Sequence, residues 1–208
     1  MTSPDSTGPA APQVAQAGGS KARVMTGLTL FTGRRYLSGP AFTCACAPED
    51  NLAVQAAVYQ APPGTVIVCH GGGTRSAGLF GGLVAADAAR QGLAGLVIEG
   101  PVRDTADIDR LGFPVLSTGT APARASKDTI VSMGEPVLVG GVLVRPGDQI
   151  VADQDGAVVV AAADWPGVLA AAQALAEREE QVLARIAAGE RLADINGLDL
   201  TRYLLPRP

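Results

Sequence analysis

Residues 65–104 read TVIVCHGGGTRSAGLFGGLVAADAARQGLAGLVIEGPVRD, and their order decides the fold. Residues 65–69 are a short β-branched, apolar run, which predicts a buried strand. His70 and the glycines Gly71, Gly72 and Gly73 break it. Leu79, Leu83, Ala86, Ala89 and Arg90 then recur at helical spacing, and Gly92 supplies a stop. Residues 95–99 form a second apolar run. Residues 100–104 make a turn that sets a cation beside a carboxylate. Strand, glycine loop, helix, strand and charged turn is the order of a right-handed βαβ crossover between parallel strands. Such units bind small anions at strand C-termini and helix N-termini. The candidate site is therefore placed on two loops, residues 71–84 and 100–104.

Working outward, residues 35–47 predict a strand, with Gly39-Pro40 as a bulge or edge feature. Residues 51–60 predict a helix with Leu52, Ala56 and Tyr59 on one face and Asp50 as N-cap. Residues 21–34 mix apolar positions with Gly27 and Gly33 and specify no element. Beyond the central unit, residues 105–110 suggest one helical turn and residues 113–117 a strand. Residues 119–128 form a loop whose only cations are Arg124 and Lys127. Two β runs flank Gly140-Gly141. A tight turn at residues 153–156, where Asp153 and Asp155 shape the backbone, joins two further strands. Residues 165–188 predict one long amphipathic helix, capped by Asp164 and ended by Gly189. Its charged patch, which includes Glu179 and Glu180, reads as a solvated face.

A chain of 208 residues with 47% hydrophobic content suits one domain with a sizeable core. Aromatics are only 4%, so the core is built from Ala, Val, Leu and Ile, as in α/β proteins with close helix–sheet packing. The net charge of −4 and the lack of a long basic run argue against nucleic acid as a partner. No apolar segment has transmembrane length, so no membrane role is expected. Residues 1–20 lack the pattern of a signal peptide and predict a disordered tail. The expected organisation is that tail, a domain over residues 21–190 and a C-terminal tail over residues 191–208, in the cytoplasm. Cys44, Cys46 and Cys69 cannot complete a disulfide framework. They are read as small buried hydrophobes, with a metal site shared with His70 as the alternative. The glycine loop matches neither G-x-G-x-x-G nor a Walker loop, which leaves nucleotide binding without support.

The segments GPAFT (39–43), Asp50-Asn51, VIVCHGGG (66–73), GLVIEGPVRD (95–104), FPV (113–115), VLVGGVLVRPGDQIVADQDGAVVV (137–160) and AAGE (187–190) occur in an order and spacing that resemble the RraA-like family. That family includes regulators of ribonuclease activity and metal-dependent 4-hydroxy-4-methyl-2-oxoglutarate aldolases. The resemblance implies a compact α/β domain of the swivelling type, with a β-rich centre flanked by helices. It also implies homotrimers or hexamers with sites between subunits. In the aldolases the arginine and aspartate of the charged turn bind substrate and metal; here they are Arg103 and Asp104. The backbone opening the crossover helix holds a pyruvate carboxylate, which matches Gly81, Gly82, Leu83 and Val84. A glutamate from a neighbouring subunit's last helix is matched best by Glu179, with Glu180 as the second candidate. The aldolases usually carry an acidic residue where this chain has Gly82, and an aspartate is common at the position of His70.

The chemistry implied is retro-aldol cleavage or decarboxylation of a small 2-oxo acid through an enolate. A divalent cation, Mg²⁺ or Mn²⁺, acts as Lewis acid in such reactions, and Mg²⁺ is content with one protein carboxylate such as Asp104. Arg103 would stand against the developing enolate oxygen. Two other readings are open: a regulator that binds a protein partner without chemistry, and another metal-assisted enol reaction. Fold alone does not separate them.

Overall fold

The structure, a computed structural model, describes residues 8–203. In chain order the elements are α1 (Ala11–Gly18), β1 (Ala22–Met25), β2 (Leu30–Thr32), β3 (Tyr36–Cys46), α2 (Leu52–Gln60), β4 (Val66–His70), β5 (Ala77–Gly78) and α3 (Gly82–Arg90). They continue with β6 (Gly95–Val102), α4 (Thr105–Leu111), β7 (Val115–Thr120), β8 (Ala123–Arg124), β9 (Ile130–Met133), β10 (Val137–Val139) and β11 (Val142–Val144). The last are β12 (Gln149–Asp153), β13 (Gly156–Val160), α5 (Trp165–Ala187) and α6 (Leu192–Ile195).

The main sheet runs β1-β13-β12-β3-β4-β6-β7-β2, with β9 also paired to β3. Its centre, β3-β4-β6-β7, is parallel, as the crossover pattern predicts. Strand β3 is the joint. Residues 36–40 pair antiparallel with β12, and residues 41–45 pair parallel with β4. No bulge lies at Gly39-Pro40; the irregularity of β3 falls between Ala45 and Cys46. Pro40 instead marks the change of partner, where its missing N–H costs no ladder bond. Gly39 is needed because a Cβ there would stand 2.4 Å from the Gly64 carbonyl oxygen.

Strand alternation sorts the apolar residues into layers. Ile67, Cys69, Leu96 and Ile98 face α2, α3 and α4 and share a core with Val54, Ala57, Ala85, Ala88 and Ile108. Val66, Val68 and Val97 face the other way, onto Val139 and Val142 of the β10–β11 hairpin and onto Ile150 and Val159. Val151, Val158 and Val160 turn towards α1 and α5. The two short helices over the parallel sheet bury other faces than the apolar spacing suggests. In α3 the buried positions are Ala85 and Ala88, Leu79 lies in the preceding loop, and Leu83 is 88% exposed. In α2 they are Ala53, Val54, Ala57 and Val58, and Tyr59 is 82% exposed. Small residues on the inner faces let these helices approach the sheet closely, so larger residues are displaced outward.

Residues 11–18 correct the expectation of a disordered start. They form α1, with Ala11 and Val14 packed against Val168 and Ala172 of α5. The Ala11 N–H donates to Asp153 at 2.7 Å, which ties the helix start to the β12–β13 turn. An alanine-rich segment too short to be helical alone is stabilised by this seam. Residues 1–7 of the expected tail lie outside the described residues. At the other end, α6 and a turn over residues 201–203 continue the chain past α5, and residues 204–208 lie outside the described residues. Among the described residues no helix is long and apolar enough to cross a membrane.

Candidate active site

The parallel strand β6 ends at Val102, and the next two residues are Arg103 and Asp104. Asp104 takes a left-handed backbone, φ 56° and ψ 38°, which aspartate tolerates better than most residues. That conformation reverses the chain, and the Asp104 carbonyl accepts from the N–H groups of Asp107 and Ile108 to start α4. The Asp104 side chain makes no capping hydrogen bond to α4. Its Oδ2 accepts from the Gly82 N–H at 3.2 Å and lies 3.6 Å from Arg103 Nε. The latter is an ion pair, too long for a hydrogen bond, so the Arg103 fork is not consumed by its neighbour.

Gly81 and Gly82 open α3 beneath this carboxylate. The cap residue Gly81 is extended, φ −143°, and the Leu83 and Val84 N–H groups in the first turn have no helical acceptor. Glycine at 81 is a matter of space: a Cβ there would stand 2.7 Å from Asp104 Oδ2. The loop before α3 is locked to β6, because Leu79 N–H donates to Pro101 O and Arg103 N–H to Phe80 O, each at 2.9 Å. Asn51, at the start of α2, adds a third tie through Nδ2 to Leu79 O at 2.9 Å.

These pieces enclose a cleft of about 170 Å³. Gly81, Leu83, Val84, Arg103 and Asp104 line it, so the two loops singled out in the sequence do meet. Asn51, Gln55, Arg124 and Lys127 also line it, and sequence reasoning missed them. Arg124 and Lys127 were legible only as the cations of a loop. Pairing of β8 with β5, Gly78 opposite Arg124, brings that loop to the cleft. Three cations and one carboxylate therefore face one small space, an arrangement that attracts anions.

Gly82 lies at the edge of the cleft, and the room beside it is taken. A Cβ at 82 would come within 2.9 Å of Asp107 Cβ and 3.2 Å of Asp107 Oδ2. An acidic side chain added at 82 would thus collide with α4, and a carboxylate already stands there from another element. Asp107 is also held by Arg110 at 2.8 Å.

Other expected participants are placed elsewhere. Glu179, on α5, accepts from Gln13 Nε2 at 2.7 Å and does not line the cleft of its own chain. His70 Nδ1 accepts from the Gly72 N–H at 3.1 Å, a local structural contact. The three cysteines are buried, with Cys46 and Cys69 sulfurs 3.6 Å apart. Their mutual hydrogen bonding and burial push the Cys46 thiol far up, and Cys69 is raised by its bond with Cys44, so both stay protonated. Among the described residues there is no group of three or more His, Cys, Asp or Glu that could hold a metal ion. A cation in the cleft would have Asp104 as its protein carboxylate and would take its other ligands from water and substrate. That donor set suits a hard, hydrated ion such as Mg²⁺.

Comparison with known proteins places this architecture. The family model described as RraA-like, Aldolase/RraA, matches residues 11–159, and the chain belongs to the RraA-like family. A Halalkalibacterium halodurans protein named "Putative 4-hydroxy-4-methyl-2-oxoglutarate aldolase" is 37% identical over 166 residues, covering 80% of this chain and 76% of its own. Streptomyces coelicolor RraAS2, described as an unusual member of the RNase ES inhibitor RraA family, superposes with a TM-score of 0.71 at 30% identity, covering 85% of this chain and 91% of its own. A Geobacillus kaustophilus structure titled S-adenosylmethionine:2-dimethylmenaquinone methyltransferase gives 0.69 at 34% identity, over 72% of this chain and 93% of its own. One fold thus carries three names, and the choice among activities rests with the site. The aldolase names of the relatives are those of proteins acting on a 2-oxo acid.

Proposed function

We propose that the cleft at the end of β6 cleaves a small 2-oxo acid by retro-aldol reaction or decarboxylation, with a divalent cation, Mg²⁺ or Mn²⁺, bound at Asp104. The observation that carries this reading is the convergence of Arg103, Asp104 and the open start of α3 on one space. The cleft is small, and its cationic lining suits a compact anion.

The N–H groups of Leu83 and Val84 hold the substrate's 2-oxo carboxylate, where the helix dipole adds to the hydrogen bonds. The Arg103 fork faces the keto oxygen, on which charge grows as the bond to the distal fragment breaks, and stabilises the enolate; in the retro-aldol case the distal hydroxyl gives its proton to water as its carbon becomes a carbonyl, and water returns one proton to the enolate carbon. When bound, the cation supplies Lewis acidity at the same keto oxygen. Asp107 stands in the space next to Gly82 and takes the water-ordering part that an acidic residue at 82 would otherwise play. Arg124 and Lys127 face a second anionic group on the substrate. The proposed assembly is a homotrimer or hexamer in the cytoplasm, in which Glu179 can approach a neighbour's cleft.

The test is pyruvate release from 4-hydroxy-4-methyl-2-oxoglutarate and from oxaloacetate, with Mg²⁺ or Mn²⁺ and with excess chelator. Turnover that requires the cation and disappears in Asp104→Ala is expected. Full turnover in chelator, or in Asp104→Ala, overturns the proposal. Absence of turnover on both substrates favours the regulator reading.

A further inference from the structure

Two non-glycine residues among those described have left-handed backbone, Asp104 and Glu49, at φ 56° and 58°. The first is in the cleft. The second immediately precedes Asp50, a carboxylate only 3% exposed that does not line the cleft. Backbone strain of this kind persists where surrounding contacts over-determine it, and here those contacts are dense. Asp50 Oδ1 accepts from the Leu52 N–H at 2.8 Å. Its Oδ2 accepts from Ser126 Oγ at 2.5 Å and from the Asp128 N–H at 2.6 Å. The backbone seals the same junction: Asn51 N–H donates to Ser126 O at 3.0 Å, and Ser126 N–H to Glu49 O at 2.8 Å. On its other side Glu49 N–H donates to Thr74 Oγ1 at 2.8 Å.

The segment held by Asp50 is the one that bears the cationic wall. Lys127 lies between Ser126 and Asp128, whose bonds end on one carboxylate oxygen, and Arg124 lies just before them. Neither cation has an ion-pair partner among the described residues. Between β8 and β9 the loop has no strand pairing beyond its bridge at Asp50 and Ser126, so this junction sets where Lys127 points. Burial alone would raise the Asp50 carboxyl, but the hydrogen bonds from Ser126, Leu52 and Asp128 outweigh it and hold it below the usual range.

We infer that Asp50 is a positioning residue: by pinning residues 126–128 it aims Lys127, beside an Arg124 held by the β5–β8 pairing, at the second carboxylate of a dicarboxylate substrate, and so sets the preference for dicarboxylates over monocarboxylates. The inference rests on the lyase reading of the cleft. It assigns Asp50 no contact with substrate.

The test is calorimetric titration of the full chain, in Mg²⁺, with 2-oxoglutarate as the dicarboxylate and pyruvate as the monocarboxylate. In Asp50→Asn, 2-oxoglutarate affinity is expected to fall at least about fivefold, the loss of a charge-assisted contact, with pyruvate affinity within about twofold of wild type. In a Lys127→Ala, Arg124→Ala background, Asp50→Asn is expected to cost 2-oxoglutarate nothing more, because the wall it positions is gone. Ser126→Ala, which leaves the carboxylate in place and removes one donor, should shift selectivity in the same direction and serves if Asp50→Asn fails to fold. Equal losses for both ligands, or an additive loss in the triple variant, overturn the positioning role. Wild type that binds both ligands without preference overturns the wall alone. Wild type that binds neither overturns the lyase reading, and this inference with it.

Discussion

Arg103 and Asp104 adjoin in sequence, yet they are not a self-satisfied pair, since 3.6 Å is an ion-pair distance with no hydrogen bond from the guanidinium to its neighbour. Arg103→Lys keeps the charge and loses the planar fork. The expected cost in kcat/KM is about 2–4 kcal/mol, the scale of one lost transition-state donor. Wild-type-like steady-state kinetics in that variant would remove Arg103 from the site. Gly81→Ala tests the space above α3. The extended backbone at Gly81 accepts any residue, so the added Cβ acts by pressing on Asp104 Oδ2. A loss of about 10–100-fold in kcat/KM, with an almost unchanged melting temperature, is expected from a misplaced carboxylate. A large stability loss would mean that the glycine serves the fold. Asp50 bears on stability as well. Its carboxyl is held below its usual range in the folded state, so its contribution is present above the ordinary aspartate pKa, about 3.9, and is lost as pH falls through the lower folded value. Urea unfolding followed from pH 6 down to pH 3 should therefore lose stability less steeply in Asp50→Asn than in wild type.

At the scale of elements, two short helices show what tertiary context adds. Helix α1 has eight residues and no charged side chain of its own. It stays folded because Val14, fully buried, closes the seam with Val168 and Ala172. Val14→Ala should lower unfolding free energy by about 1.5–3 kcal/mol through lost burial and the cavity left behind. Chemical denaturation measures it, and a change near zero would mean that α1 is only loosely attached. Helix α3 was legible as a helix and not in its orientation. Its period is carried largely by alanines, which fit a buried or an exposed face, and only the sheet beneath decides that Ala85 and Ala88 go inside while Leu83 is left at the cleft.

For the whole molecule, the net charge of −4 and the cationic cleft pull in opposite directions, so the local field and not the total governs which ions approach. With one carboxylate in the cleft and no multidentate cluster among the described residues, a cation there adds little to folding. Chelation should stop turnover while leaving the melting temperature within about 2 °C, since weak binding contributes only in proportion to ligand excess over its dissociation constant. A large fall in melting temperature would show that the metal is structural.

By itself the sequence determined the crossover unit, the two hairpins after residue 136 and the long last helix. Each of these rests on local chemistry: β-branched runs, glycines at turns, a cap followed by proline. It also placed Arg103 and Asp104 at a strand end, because a charged pair after an apolar run has nowhere else to go. Tertiary structure alone brought Asn51, Gln55, Arg124 and Lys127 to the same cleft. Their approach depends on pairing between β5 and β8 and on a buried carboxylate at Asp50, contacts that span long stretches of chain. It also showed that the space at Gly82 belongs to Asp107 of α4. Periodicity reports which way a residue faces along its own element. It carries no information on which other element arrives opposite, and that juxtaposition is what the site is made of.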